Sequence, residues 1–133
     1  MSRRGFALIE LLAAFLVFAV GFAVMMELAA SGLRQARTSA ELTDAALWAQ
    51  SKMDTIGIEE PVKEGSDSGE FDKKYRWELA ITEWEPPADA SVFETTNLVD
   101  LYRIELIVIW GQGRGERSAR FVTVRAIQPG LTP

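Results

Sequence analysis

The sequence predicts an α+β chain: one long N-terminal helix, its first half fit to cross a membrane, then a small antiparallel β-sheet packed on its second half. Three observations predict it. Residues 6–26 are apolar except for one carboxylate. Residues 27–57 keep helical spacing without a proline. Beyond residue 74 the apolar residues alternate with polar ones, the period of a strand.

Composition narrows the function before any element is placed. Of 133 residues, 48% are apolar and 25% charged, an ordinary balance for one small folded domain. Fourteen basic against 19 acidic residues give a formal charge of −5, which argues against a general nucleic-acid binder. With no Cys there is no disulfide framework or thiol chemistry, and with no His the usual zinc sites and proton relays are excluded. No paired carboxylates or activated nucleophile stand out, so neither a cofactor nor an enzymatic activity is expected.

The first element is the apolar run FALIELLAAFLVFAVGFAVMM, from Phe6 to Met26. As a helix it spans about 31 Å, the thickness of a bilayer core. Arg3 and Arg4 precede it, and the positive-inside rule leaves that short end in the cytoplasm and the rest of the chain outside. Glu10 is the anomaly, because a carboxylate within a span costs on the order of 2.5–3.5 kcal/mol at the bilayer centre. Near the start of the span it can snorkel to the headgroups, or it can meet a cation supplied by another chain. A cleaved signal peptide with a small-residue site near Ala29, Ala30 and Ser31 is the competing reading; the run is longer than the usual apolar region and carries a charge.

The second element runs from Glu27 to a stop at Gly57. Ala29, Leu33, Ala36, Ala40, Thr43 and Leu47 form one stripe at three- and four-residue steps, and Leu42, Ala45, Ala46, Ala49, Met53 and Ile56 form another. Arg34, Arg37, Glu41, Asp44 and Lys52 fall largely between them. One helix from Phe6 to Ile56 would be roughly 77 Å long; a break near Ser31-Gly32 would instead separate two helices. Trp48 and Met53 read as core residues. Ala36, Ala40, Ala45, Ala46 and Ala49 would let a neighbouring helix, or the sheet, approach closely.

The third element is the sheet. Glu59 to Lys74 is charged and rich in Gly and Ser and reads as a loop. Tyr75–Ile81 alternates as a strand, stopped by Glu85-Pro86-Pro87, and Ala88 to Asn97 reads as a loop. Leu101–Trp110 is apolar on both faces and reads as the central strand. Arg117–Ile127, with Arg120 and Arg125, reads as an edge. Gly111-Gln112-Gly113-Arg114-Gly115 lies between two strands and reads as a hairpin turn rather than a phosphate loop. Asp67, Glu70 and Asp72 match no EF-hand spacing and read as a solvated acidic stretch.

Arg3-Arg4-Gly5-Phe6-Ala7-Leu8-Ile9-Glu10 resembles the leader of type IV pilins and type II secretion pseudopilins: a short basic leader, Gly, Phe, a Glu at the fifth mature position, then about twenty apolar residues. The family most often has Thr at the position of Ala7. The resemblance implies a pilin-like fold, cleavage by the prepilin peptidase between Gly5 and Phe6, and N-methylation of Phe6. It implies residues 1–5 as leader, 6–26 as the transmembrane and assembly half of the helix, 27–57 as its amphipathic half and 58–133 as a periplasmic β head anchored in the bacterial inner membrane. Phe6 and Glu10 would carry assembly: Glu10 of one chain would pair with the freed Phe6 amine of its neighbour. Such a pair in low dielectric fixes register more than it adds stability.

The run from Ala45 to Met53 and the strand start Tyr75-Arg76-Trp77 are similar to I-type minor pseudopilins. That similarity implies other minor pseudopilins of the J, K and H types, the major pseudopilin, the prepilin peptidase and the inner membrane as partners, in a tip complex that initiates the pseudopilus. K-type subunits typically lack the Glu, and the calcium loop of major pseudopilins has no evident counterpart here. A minor pilin of a type IV pilus or competence system, or a signal-anchored periplasmic binding domain, are the alternative readings.

Overall fold

A computed structural model describes residues 3–87 and 99–128, with side chains from residue 6 onward. The element order is a helix α1 (Arg3–Thr55), then strands β1 (Gly65–Glu70), β2 (Tyr75–Glu83), β3 (Asp100–Trp110) and β4 (Arg117–Ile127). The α+β class and the order of helix before antiparallel sheet are as the sequence predicts. The stretch from Ala88 to Asn97 lies outside the described residues. The chain divides into two compact units, Met1–Glu41 and Leu42–Pro133.

In the first unit α1 passes Ser31-Gly32 without a break, so the two-helix alternative is excluded. Its large apolar side chains from Phe6 to Leu28 are each at least 54% exposed. The helix is long and apolar enough to cross a membrane, and none of its most apolar window is buried within the chain. Past the apolar run, Arg34 pairs with Glu27 at 3.7 Å and Arg37 with Glu41 at 3.6 Å. The Thr38 hydroxyl donates to the Arg34 carbonyl at 3.0 Å.

In the second unit the four strands form an antiparallel meander in the order β1-β2-β3-β4. Leu79 lies opposite Leu106 and Ile81 opposite Ile104, while Leu106 lies opposite Phe121. The alternation predicted for β2 and β3 puts Tyr75, Leu79, Ile81, Ile104, Leu106, Val108 and Trp110 on one buried face. Ala45, Ala49 and Ile56 of the helix complete that core, with Trp48 and Met53 packed against it. Alanine at 45 and 49, one turn apart, brings the helix backbone close to the sheet. Trp48 stacks on Phe71 at 5.1 Å between ring centroids, and Tyr75 meets Trp110 at 5.9 Å.

One expectation is corrected. The stretch read as a loop from Glu59 to Lys74 contains β1. Its sequence, GSDSGE, has no strand-forming side chain; it is a strand because β2 offers it a ladder from Gly65 opposite Ile81 to Glu70 opposite Arg76. Within it, a Cβ at Gly69 would come within 2.8 Å of the Trp77 ring, so the bare backbone is what lets β1 lie against that indole.

Within the second unit the sheet packs on the helix stripe of Ala45, Ala49, Met53 and Ile56, and Thr43 and Leu47 of the other stripe are exposed. Lys52, read as lying between the stripes, is largely covered there. Its side chain is only 13% exposed, its Nζ pairs with Glu60 at 3.1 Å and it sits 4.3 Å over the Trp77 ring.

The helix ends where the sequence predicts. Gly57 adopts φ +88°, which few L-residues tolerate, and its amide donates to the Glu60 carbonyl at 2.7 Å. At the other end of the sheet, the β3–β4 turn closes with Gly115 N–H donating to the Gln112 carbonyl at 3.1 Å, the hairpin expected there.

Candidate assembly site

Gly5 and Phe6 both fall within the continuous helix α1. Phe6 is 74% exposed, and Glu10 follows it at i+4, one turn on along the same face. Glu10 is exposed, and no Lys or Arg occurs between it and Arg34. A carboxylate in this setting, four residues into an apolar run, has no cation of its own chain on its C-terminal side to offset its desolvation in lipid.

The five alanines expected to form one packing face are divided. Ala45 and Ala49 are buried at 0% and 2% exposure, while Ala36, Ala40 and Ala46 are exposed. The reason is helical geometry: at about 100° per residue, positions 36 and 45 lie about 180° apart. Ala45 and Ala49 meet the sheet of their own chain, so only Ala36, Ala40 and Ala46 are open to a second chain.

Side chains that the sequence did not single out as functional organise the head. The Arg125 guanidinium, on the helix-facing side of β4, donates to the carbonyls of Ile56 and Met53, the latter at 2.7 Å. Both carbonyls lie at the helix end, where the ladder of helical amides runs out; the Met53 carbonyl also accepts from the Ile56 amide at 3.3 Å, and a cation there meets the negative end of the helix dipole. The sequence signal was the Arg itself, taken as an edge marker; nothing local links it to a helix end 69 residues earlier.

On the opposite face of the sheet, Arg120 donates to Glu105 at 2.6 Å and Arg103 stands 3.6 Å from the same carboxylate. The hydrogen bond from Arg120, and then the charges of Arg120 and Arg103, hold the Glu105 carboxyl below its usual range. Arg76 pairs with Glu116 at 3.0 Å across β2 and the β3–β4 turn.

The acidic stretch is used locally. Asp72 accepts from the amides of Lys74 and Tyr75 at 2.8 and 2.7 Å, fixing the β1–β2 turn, while Asp67 and Glu70 lie on β1. Among the described residues no group of three or more His, Cys, Asp or Glu side chains is placed to hold a metal.

Comparison with known proteins gives a relative along most of the chain. No family model matches it, and no solved structure matches it. A curated protein of Xanthomonas campestris pv. campestris, named type II secretion system protein I, is 30% identical over 130 residues, covering 93% of this chain and 94% of the relative. That coverage takes in the apolar helix and the sheet together, and the chain belongs to the type II secretion system protein I family of pseudopilins.

Proposed function

We propose that this chain is a non-enzymatic minor pseudopilin: after removal of residues 1–5, its apolar helix sits in the inner membrane and its head in the periplasm. There it joins J-, K- and H-type subunits in a tip complex that initiates the pseudopilus and supports protein export across the outer membrane. The observation that carries this reading is Glu10, the one charge in residues 6–26, one turn after Phe6 and preceded by Arg3-Arg4-Gly5. Cleavage after Gly5 creates an amine on Phe6 at the membrane surface, which the peptidase then methylates. Glu10 of one subunit and the Phe6 amine of the next neutralise each other in low dielectric, and the pair sets the axial step between subunits. The exposed Ala36, Ala40 and Ala46 allow a neighbouring helix to approach closely.

The test is Glu10→Leu in the cell. The variant inserts in the membrane as the unaltered chain does, fails to co-purify with partner pseudopilins, and lowers export. Normal export by this variant refutes the pairing. Mass spectrometry of the cellular protein separately reads the processing: an N-methylated Phe6 terminus is expected, and an intact Met1 overturns it.

A further inference from the structure

Ile58 is the most exposed large apolar side chain described in the Leu42–Pro133 unit, at 79%. It stands on the turn that follows α1, and that turn is closed by its own backbone. The Gly57 amide donates to the Glu60 carbonyl at 2.7 Å, and the amides of Ile58, Glu59 and Glu60 donate to the Thr55 carbonyl at 3.3, 3.0 and 3.2 Å. Lys52 ties Glu60 back to the helix at 3.1 Å. Four successive amides are spent inside the turn, so it holds one shape and does not swing Ile58 inward. Single exposed apolar residues are ordinary on a surface. This one differs because its loop is rigid and because the apolar surface continues beside it. At Gly57 the turn borders a groove lined by Val62, Ala126 and Ile127. The charged residue of that groove, Arg125, is already given to the helix-end carbonyls.

Around Ile58 the charge is acidic. Asp54 and Glu59 are exposed and, among the described residues, neither has an ion pair. Asp54 lies in the last turn of α1, where a carboxylate opposes the helix dipole; an external cation relieves that cost. We propose that Ile58 is a docking knob for a different subunit, one that offers an apolar socket rimmed by Lys or Arg. The inference rests on the mixed assembly proposed above and names the surface through which this head enters it. A rigid apolar anchor at the centre with charges at its rim is the pattern of a protein interface, and a turn already ordered loses little freedom on binding. A second copy is a poor host. Two other grooves of this unit contain Asp67, Glu78 and Glu105, or Asp44 beside Leu47 and Trp48, and those carboxylates would face Glu59. An anionic lipid surface is repelled by the same two acids.

The test uses the full-length chain, tagged, produced together with J-, K- and H-type subunits and extracted in mild detergent. Ile58→p-benzoylphenylalanine, illuminated in membranes before extraction, should give an adduct with one of those subunits. Ile58→Asp should retain about ten- to hundredfold less of that subunit, the effect of losing one buried Ile anchor, while Ile58→Val retains nearly all of it. Glu59→Lys should lower retention about two- to fivefold. None of these should move the tryptophan-monitored unfolding of the chain, since both side chains lie outside the core. An unaltered chain that retains none of the three subunits overturns the mixed assembly and this inference with it. An unaltered chain that retains them, with Ile58→Asp retaining them equally, overturns this inference alone. So does an adduct between two copies of this chain, an adduct with lipid, or the absence of any adduct. Loss of retention by Ile58→Asp accompanied by an equal loss of stability shows a structural role and overturns it as well.

Discussion

Replacing Arg125 by Met keeps the apolar stem and removes the guanidinium that joins β4 to the end of α1. Two hydrogen bonds from a charged donor are lost, to the carbonyls of Ile56 and Met53. Ile56 itself is buried at 1% exposure, so water replaces the donor poorly at its carbonyl. A charged hydrogen bond contributes about 1.5–3 kcal/mol, and partial exposure of the Arg side chain reduces the pair to a combined loss of about 2–3 kcal/mol. For a folded unit near one hundred residues that lowers the midpoint of thermal unfolding by about 10–20 °C. The assay is denaturant unfolding of the full chain in detergent, followed by tryptophan fluorescence. Trp48, Trp77, Trp84 and Trp110 all lie in the Leu42–Pro133 unit, so the signal reports on that unit alone. Arg125→Lys should recover part of the loss, since an ammonium can meet one carbonyl but lacks the planar fork that serves two. A change below about 0.5 kcal/mol for Arg125→Met, the size of an ordinary surface substitution, refutes the capping role.

Gly57→Ala forces a side chain into φ +88° and should destabilise the same unit by about 1 kcal/mol in the same assay. Ala45→Leu drives extra methyl groups between helix and sheet at a position with no exposure and should cost about 1–3 kcal/mol, whereas Ala46→Leu on the exposed side should stay within about 0.5 kcal/mol. Glu105 is held below its ordinary value in the folded chain. Its contribution is therefore present above the unfolded carboxyl's pKa and is lost as pH falls through the lowered folded value. Glu105→Gln should flatten the stability–pH curve in that acidic window, measured by unfolding from pH 7 downwards.

The strands that could be read were those whose side chains declare a face. β4 has the limits its sequence predicts, and β2 and β3 extend by only one or two residues, because alternation of Val, Ile, Tyr and Phe with polar residues survives any packing arrangement. The position of Gly57 past the helix end was legible for a similar reason, since a helix stop is local chemistry. β1 was not legible, because its ladder comes from β2 and its own side chains contribute nothing to it. Glu10 stood out because a charge in an apolar run is anomalous in any fold.

The sequence by itself determined an apolar helix of membrane length, the one acidic residue within it, and three strands after it. Each of these is a property of neighbours along the chain. Tertiary structure alone decided which helical stripe is covered. Two stripes of comparable apolarity compete, and the sheet buries the one where Ala45 and Ala49 permit the closest approach. It also decided that Lys52 lies over Trp77 and that Arg125 reaches carbonyls 69 and 72 residues earlier. Those partners exist only once the sheet is laid on the helix, and no local pattern encodes a distance of that kind.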